Sequence, residues 1–385
     1  MRKKILIISF SELDRDPRVY RQILALQNEY QLLTAGLADP GIEGIQFCPI
    51  DISYRKDIKK FAWERIGKTF FMQLKNYEKA YWTSKYVCDA WEKLKLVDFD
   101  MVLANDVISL PLAAKLAEKN KAKIFLDAHE YHAKGRDDKK KFYRIFMQSY
   151  WDWILKTFLP RVNAMTTVAP NLAKAFEEEY NVKCDIIYNT PHYKKLEPRP
   201  IAPDKIRIIH HGGVNPDRRV ENMVYLMDLL DNRFHLDFIL INNNTRVLQK
   251  IKHLSKGNPR INFRDPVPMP MVSETINEYD IGIFLLWPEN FSYKYALPNK
   301  FFEFIQGRLA ISIWPSPEMA SIVREYELGV VSDDFSLESA AKQLNSLTPE
   351  AIWSYKMNSH KTASVFCAEQ SRERLLGMVK GMLEG

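Results

Sequence analysis

Short apolar runs alternate with amphipathic stretches along almost the whole chain, and this alternation leaves few folds open. Ile5–Phe10, Met101–Ala104, Ile124–Asp127, Met165–Val168 and Asp185–Tyr188 have the length and residue types of buried strands. Val19–Gln27, Leu110–Glu118 and Asn171–Glu179 repeat their apolar residues at helical spacing. Strands separated by helix-length crossovers pair in parallel. The expectation is an α/β fold, a parallel sheet covered by helices.

The pattern pauses at Asn189–Asp204, where Pro191, Pro198, Pro200 and Pro203 interrupt a stretch without periodicity. It then restarts. Arg207–His211, Leu236–Ile241, Asp280–Leu286 and Leu309–Trp314 read as strands, with Val220–Leu230, Met271–Glu278, Lys300–Gln306 and Glu318–Arg324 as helices. Two doubly wound, Rossmann-like domains follow, residues 1–195 and 196–365, joined by a linker. A chain of 385 residues is too long for one ordinary core.

Several classes of function fall away. Ile5–Phe10 is too short for a signal-peptide core and charge follows at once. No apolar run reaches the roughly 18–20 residues that span a bilayer. A cytoplasmic location is expected. Cys48, Cys88, Cys184 and Cys367 form no CxxC pair and read as reduced, mostly buried thiols. The net charge of +7 favours anionic partners. No nucleic-acid reading motif accompanies it, so nucleic acid is not an expected partner. His129-Glu130-Tyr131-His132 lacks HExxH spacing. Asp98-Phe99-Asp100 has a D-x-D spacing but precedes a strand, the wrong end for a ligand. His210 and His211 close a strand and need bind no metal. The first strand is followed by Ser9-Phe10-Ser11-Glu12 without glycine, which disfavours a dinucleotide cofactor.

Ligands of open α/β sheets sit beyond the carboxyl ends of the strands. Two strand-to-helix loops stand out on that rule. Arg207–His211 ends in Gly212-Gly213, and the loop continues through Arg218 and Arg219 into a helix. Glycine allows close backbone approach, a helix start offers N–H donors, and arginine presents a fork to phosphate oxygens. The competing reading is a glycine turn with two solvated arginines. The second loop follows Asp280–Leu286 and leads into ALPNKFFEF (Ala296–Phe304). Pro298 opens a helix there. Lys300, Glu303 and Gly307 fall on one face, and Phe301, Phe304 and Ile305 on another. A carboxylate at that end can accept two hydrogen bonds from vicinal hydroxyls. The competing reading is an ordinary surface Lys/Glu pair.

This segment resembles the donor-site signature of family 4-like glycosyltransferases with the GT-B fold, in which a P-x-K-x-x-E core precedes a glycine and an apolar strand. Here the core is Pro298-Asn299-Lys300-Phe301-Phe302-Glu303, followed by Gly307. The resemblance runs over most of the chain. Asp16-Pro17-Arg18-Val19 looks like the first-loop motif, and Asp127-Ala128-His129-Glu130 like the central motif of the first domain. Thr167–Pro170 and Asn189–Pro191 match its end. Gly212–Arg219 is similar to the diphosphate loop, and Arg264–Pro268, with Val267, sits where the family holds the base. The resemblance implies two Rossmann-like domains facing a cleft, with a C-terminal helix (366–385) packing back on the first. It implies a donor ribose on Glu303 and a diphosphate on Arg218, Arg219 and Lys300. It also implies a donor sugar near His129, and transfer that retains configuration without metal or cofactor. Asp16, Arg18, Glu130 and Tyr295 would line the acceptor side or cleft. One position departs from the pattern. Many members carry a glutamate eight residues before the ribose-binding one, and here that position is Tyr295; Glu289 lies in the same loop.

The implied donor is a nucleotide-diphosphate sugar, and the implied acceptor a glycan or a lipid-linked sugar. Lys139–Arg161 and Arg55–Trp82 mix basic and aromatic residues, as helices on an anionic membrane surface do. The same residues would also serve as core aromatics with solvated lysines. Two other activities suit the architecture, a nucleotide-sugar epimerase or hydrolase and a non-catalytic nucleotide-sugar scaffold.

Overall fold

The alternation of strand and helix produces two wholly parallel sheets in the computed structural model, which describes residues 2–129, 131 and 146–384, and not the side chains of Lys56 and Lys60. The chain divides into two compact units, Met1–Ile187 with Arg372–Gly385, and Tyr188–Ser371. The boundaries read from the sequence, 195/196 and 365/366, lie several residues away.

The first unit holds β1 (Lys4–Ile8), β2 (Gln31–Gly36), β3 (Gln46–Pro49), β4 (Met101–Asn105), β5 (Lys123–Ala128), β6 (Ala164–Thr167) and β7 (Asp185–Ile186), in the order β3-β2-β1-β4-β5-β6-β7. Register partners in a parallel pair share a face. Ile5 pairs with Met101, Leu103 with Phe125, and Phe125 with Ala164. This apolar face is covered by Val19, Ile23 and Leu26 of helix Pro17–Leu26 and by Leu375, Val379 and Met382 of helix Ala368–Glu384. The C-terminal helix therefore does pack back on the first sheet. Two residues on, the same face turns polar, with Asn105 opposite Asp127 and Asp127 opposite Thr166.

The two basic, aromatic stretches behave differently. In helix Gln148–Phe158, Tyr150, Trp151, Ile154 and Leu155 are buried, so the core reading holds there. Lys139, Lys140, Lys141, Phe142, Tyr143 and Arg144 lie outside the described residues. In helix Ile58–Gln73, by contrast, Trp63, Ile66 and Phe70 are exposed.

The second unit holds β8 (Ile206–Gly213), β9 (Phe234–Ile241), β10 (Ile261–Arg264), β11 (Ile281–Phe284), β12 (Ala310–Ile313) and β13 (Gly329–Val331), in the order β10-β9-β8-β11-β12-β13. Its core gathers Ile206, Ile208, Phe238, Ile281, Ile283 and Trp314. The proline-rich segment read as a linker is held fast to this unit. Arg308 is fully buried and donates to the carbonyls of Lys194, Leu196, Ile305 and Gln306. Lys194 N donates to Gln306 Oε1, and Asn277 Nδ2 to Glu197 O. Prolines remove donors from this segment, so its carbonyls are satisfied by side chains of the domain instead. Arg308 adopts φ +62°, a left-handed conformation that costs a non-glycine residue about 1 kcal/mol. Its guanidinium, with five donors, offsets that strain.

Arg308→Met should leave several buried carbonyls without donors, each costing about 1–3 kcal/mol. Urea unfolding is expected to show a loss of at least about 3 kcal/mol, and limited proteolysis a new cut between residues 189 and 204. A variant as stable and as resistant as the parent would contradict this role.

Candidate functional site

Both sheets reverse their order of winding between the first and fourth strand, in the second unit between β8 and β11. Crevices at such reversals, outside the carboxyl ends of the strands, are where these sheets take ligands. The residues that meet there are the end of β8 (His210–Gly213), the end of β11, and the start of helix Asn299–Gln306.

Gly282 in β11 determines how that helix sits. A Cβ at Gly282 would lie 2.4 Å from the Phe304 ring, so the bare backbone is the notch that admits the ring. Lys300 is one helical turn before Phe304 on the same face. With Phe304 seated on the strand, Lys300 reaches the carboxyl edge of the sheet. Its Nζ lies 3.3 Å from the position a Gly212 Cβ would take, and Gly212 has φ +108°, which favours glycine. The face division read from the sequence is redrawn accordingly. Lys300 and Phe304 share the sheet-facing side, and Gly307 abuts Ile276, where a Cβ would meet Cγ1 at 2.7 Å. Every residue from Lys300 to Gln306 is buried, so Lys300 and Glu303 are not a surface pair.

The Lys300 ammonium has two neighbours of note. His210 Nδ1 donates to Ile283 O (3.0 Å), which fixes the tautomer and leaves Nε2 to accept from Lys300 Nζ (3.3 Å). The Nζ also stands 4.5 Å over the Phe284 ring. Burial pulls the Lys300 amine well below its ordinary value; Arg218 adds to the fall and Glu303 opposes it. Burial, reinforced by Lys300, likewise pushes His210 well below the imidazole range and His211 to about 3. His211 Nε2 lies 3.6 Å from Glu303 Oε2. With His211 neutral, this pair is not a salt bridge.

The loop after β8 differs from the helix start expected of it. Asn215 caps a single 3-10 turn, Pro216–Arg218, and the α-helix begins only at Asn222. At Gly213 a Cβ would meet Asn243 Nδ2 at 2.4 Å, so a side chain there would displace the exposed Asn243 amide. Arg219 is left-handed (φ +46°); its NH2 donates to Glu289 Oε2 (3.0 Å) while the guanidinium lies 4.8 Å over Trp287. Tyr295 packs its ring on Phe291, 4.8 Å between centroids. The carboxylate in this loop is thus Glu289, tied to Arg219. Pro298 takes the N-cap position with Asn299 as the first helical residue, one place later than expected. Arg264 ends β10 in an ion pair with Glu278 and a hydrogen bond to Tyr279 (2.9 Å). Val267 follows, half-buried. β10 is two strands from β8, about 10 Å at the usual strand spacing.

The first unit gathers its residues at the corresponding edge. Asp16 caps helix Pro17–Leu26 and accepts from Ser11 Oγ (2.8 Å). Arg18 is buried and ion-paired to Asp127, which also accepts from Gln22 and from Thr166 Oγ1 (2.6 Å). Burial lowers the Arg18 guanidinium, and Asp106 and Asp16 pull it back up. His129 N donates to Asp106 Oδ1 (3.2 Å). Glu130 lies outside the described residues. Asp100, of the D-x-D spacing, is structural: it binds Lys3 Nζ (2.7 Å) and Lys4 N (2.8 Å) at the amino end of β1.

No protein-family model and no curated protein sequence matches the chain. Solved structures match over nearly its full length. Sucrose-phosphate synthase from Thermosynechococcus elongatus superposes with a TM-score of 0.71 at 12% identity, covering 99% of both chains. Anabaena HepE in complex with UDP-glucose gives 0.69 at 9% identity, covering 98% of this chain and 100% of that one. WaaG, a glycosyltransferase involved in lipopolysaccharide biosynthesis, gives 0.64 at 11% identity, covering 97% and 100%.

The chain has the GT-B fold.

Within that fold, three residues at the sheet edges were not singled out from the sequence. His210 was set aside as a strand end, yet it orients Lys300. Asp106 carries φ +63° immediately after β4, a conformation uncommon for a non-glycine residue. Asn105 is buried, and its amide has no hydrogen-bond partner among the described residues. Only the position of Asp106, just past a strand end, could have flagged it.

The two depressed histidines make stability depend on pH. Both are neutral in the folded protein, whereas unfolded histidine takes a proton below about pH 6.5. Their contribution is present above that value and lost as pH falls from 6.5, for His211 down to about 3. Urea unfolding is expected to lose about 2 kcal/mol per histidine between pH 6.5 and 5, and His211→Asn to flatten that slope. An unchanged slope in the variant would show that His211 is protonated in the folded protein.

Proposed function

We propose that the chain is a glycosyltransferase that moves a sugar from a nucleotide-diphosphate sugar to a glycan or lipid-linked acceptor. The proposed setting is synthesis of a bacterial surface polysaccharide or glycoconjugate, in the cytoplasm or at the inner face of the membrane. The observation that carries the reading is Lys300, a buried cation at the winding reversal, paired with a neutral histidine and not with a carboxylate. Burying an ammonium is costly, and Glu303 is the carboxylate that opposes the fall in the Lys300 pKa. An anion bound against the ammonium, beside the Gly212 backbone, would add to that opposing charge. Structural neighbours support the class of anion: HepE is bound to UDP-glucose, and an E. coli trehalose-6-phosphate protein to UDP-2-fluoro glucose.

Roles follow from position. Lys300 and Arg218 would face the diphosphate, with Arg219 reaching it by leaving Glu289. Glu303 would accept hydrogen bonds from the ribose hydroxyls. The roughly 10 Å from β8 to the end of β10 suits the span from diphosphate to base, with Val267 as an apolar wall. His129 would stand near the donor sugar, and Asp16 and Arg18 would shape the acceptor side. As the glycosidic bond lengthens, negative charge collects on the leaving diphosphate. Fixed cations and backbone N–H groups aimed at that charge would be the largest catalytic contribution. In the retaining, metal-independent course proposed here, the acceptor attacks on the leaving-group face and phosphate takes its proton.

Tyr295 in place of a glutamate favours one other reading, a scaffold that binds the nucleotide sugar without turning it over. Thermal unfolding with UDP, GDP and ADP, followed by donor conversion with and without acceptors, separates the readings. One nucleoside diphosphate is expected to raise Tm by mass action, and Glu303→Gln to weaken that shift. Arg219→Ala is expected to lower kcat at least about a hundredfold, with EDTA leaving turnover unchanged. Absence of any nucleotide shift would overturn the donor site. Binding without turnover would favour the scaffold, and efficient donor consumption without acceptor would favour an epimerase or hydrolase.

A further inference from the structure

Helix Ile58–Gln73 is packed on one side and leaves large apolar side chains on the other. Its inner side is engaged: Met72 is buried, Gly67 would bring a Cβ within 3.3 Å of Thr83, and Glu64 accepts from Tyr54 OH (3.2 Å) and Lys85 N (3.4 Å). A surface helix of this kind normally turns polar residues outward. Here the outer side presents Trp63 at 73% exposure, Ile66 at 58% and Phe70 at 54%, continued by Ile58 at one end and Leu74 just past the other. Sixteen residues make a strip roughly 24 Å long. The helix contains one carboxylate, Glu64, and it lies on the inner side. Among the described side chains the exposed charges on the helix are Lys59 and Arg65, with Lys75 just beyond it. Asp57, before the helix, is occupied as its cap, accepting from Lys59 N (3.0 Å).

We infer that this outward strip seats the protein on a bilayer surface that contains anionic lipid. Tryptophan and phenylalanine enter the headgroup boundary readily, and lysine and arginine beside them meet anionic headgroups. The strip lies along the surface; among the described residues no helix is long and apolar enough to cross a membrane. A second copy of the chain fits less well. A two-fold contact apposes the same patch from each copy and would bring the cations Lys59 and Arg65 of one copy toward those of the other, with no carboxylate on the strip to answer them. The inference stands apart from the donor site, so each can fail without the other.

Flotation of the full chain with vesicles tests it, using phosphatidylcholine alone and phosphatidylcholine with phosphatidylglycerol. The protein is expected to float with the anionic vesicles and less so as salt rises. Trp63→Ser/Phe70→Ser should weaken partition at least tenfold, and Lys59→Glu/Arg65→Glu should abolish the preference for anionic vesicles. Both pairs are exposed, so thermal midpoints and nucleotide-induced shifts should match the parent. Failure of the parent to float, or unchanged partition of the Trp63/Phe70 variant, would overturn the inference. So would a dimer in sedimentation that the Trp63/Phe70 variant dissociates.

Discussion

The seating of Phe304 on Gly282 determines most of what is distinctive in the second unit. A side chain on that strand residue would collide with the ring at 2.4 Å. The helix would then lift from the sheet, and Lys300, one turn above, would leave the strand edge. The cost of burying the ammonium is met locally, by the His210 lone pair and the face of Phe284. The Ile283 carbonyl matters because it holds the proton on the far nitrogen of His210. One glycine in a strand thus places a cation, and one backbone carbonyl keeps its partner neutral.

The other end of the same helix depends on a second constraint. Beyond Gly307 the chain turns left-handed at Arg308, where glycine would be the ordinary choice. An arginine there gathers carbonyls from two directions, the end of its own helix and the proline-rich segment. Gln306 does the same on its other side, donating to Phe366 O (3.0 Å) and to Ala363 O. The helix that carries Lys300 is therefore held at its base by the chain entering the domain and by the chain about to leave it.

The two sheets and their parallel strands were legible because period and residue type carry them. Continuous runs such as Ile5–Ile8 and Arg207–His211 have one plausible use. β2, β3, β10 and β13 were not read. β3, β10 and β13 have four residues or fewer, all four strands lie toward the edges of their sheets, and Gln31, Thr34, Gln46, Asn262 and Arg264 dilute the apolar signal. The proline-rich segment was misread for another reason. Its composition describes a tether, and only the distant Arg308, Asn277 and Gln306 make it part of a domain. Helix Lys300–Gln306 was assigned opposed faces from spacing, but it is covered on every side, so spacing alone could not say which residues meet the sheet.

Charge accounting at the two sheet edges favours the second as the place for the proposed diphosphate. Arg18 lies beneath the reversal of the first sheet as Lys300 lies beneath that of the second, and burial lowers both. Arg18, however, is ion-paired to Asp127 and also faces Asp16 and Asp106. Its charge is answered, and the surplus there is negative. Lys300 has a neutral histidine within reach, Arg218 adding positive potential, and Glu303 as its opposing carboxylate. A diphosphate arriving at the first edge would meet carboxylates already holding the arginine. At the second it would meet two cations and a glycine backbone with room to approach. The basic residue of the first edge is a structural tie, and Lys300 at the second is the one that the proposed diphosphate would meet.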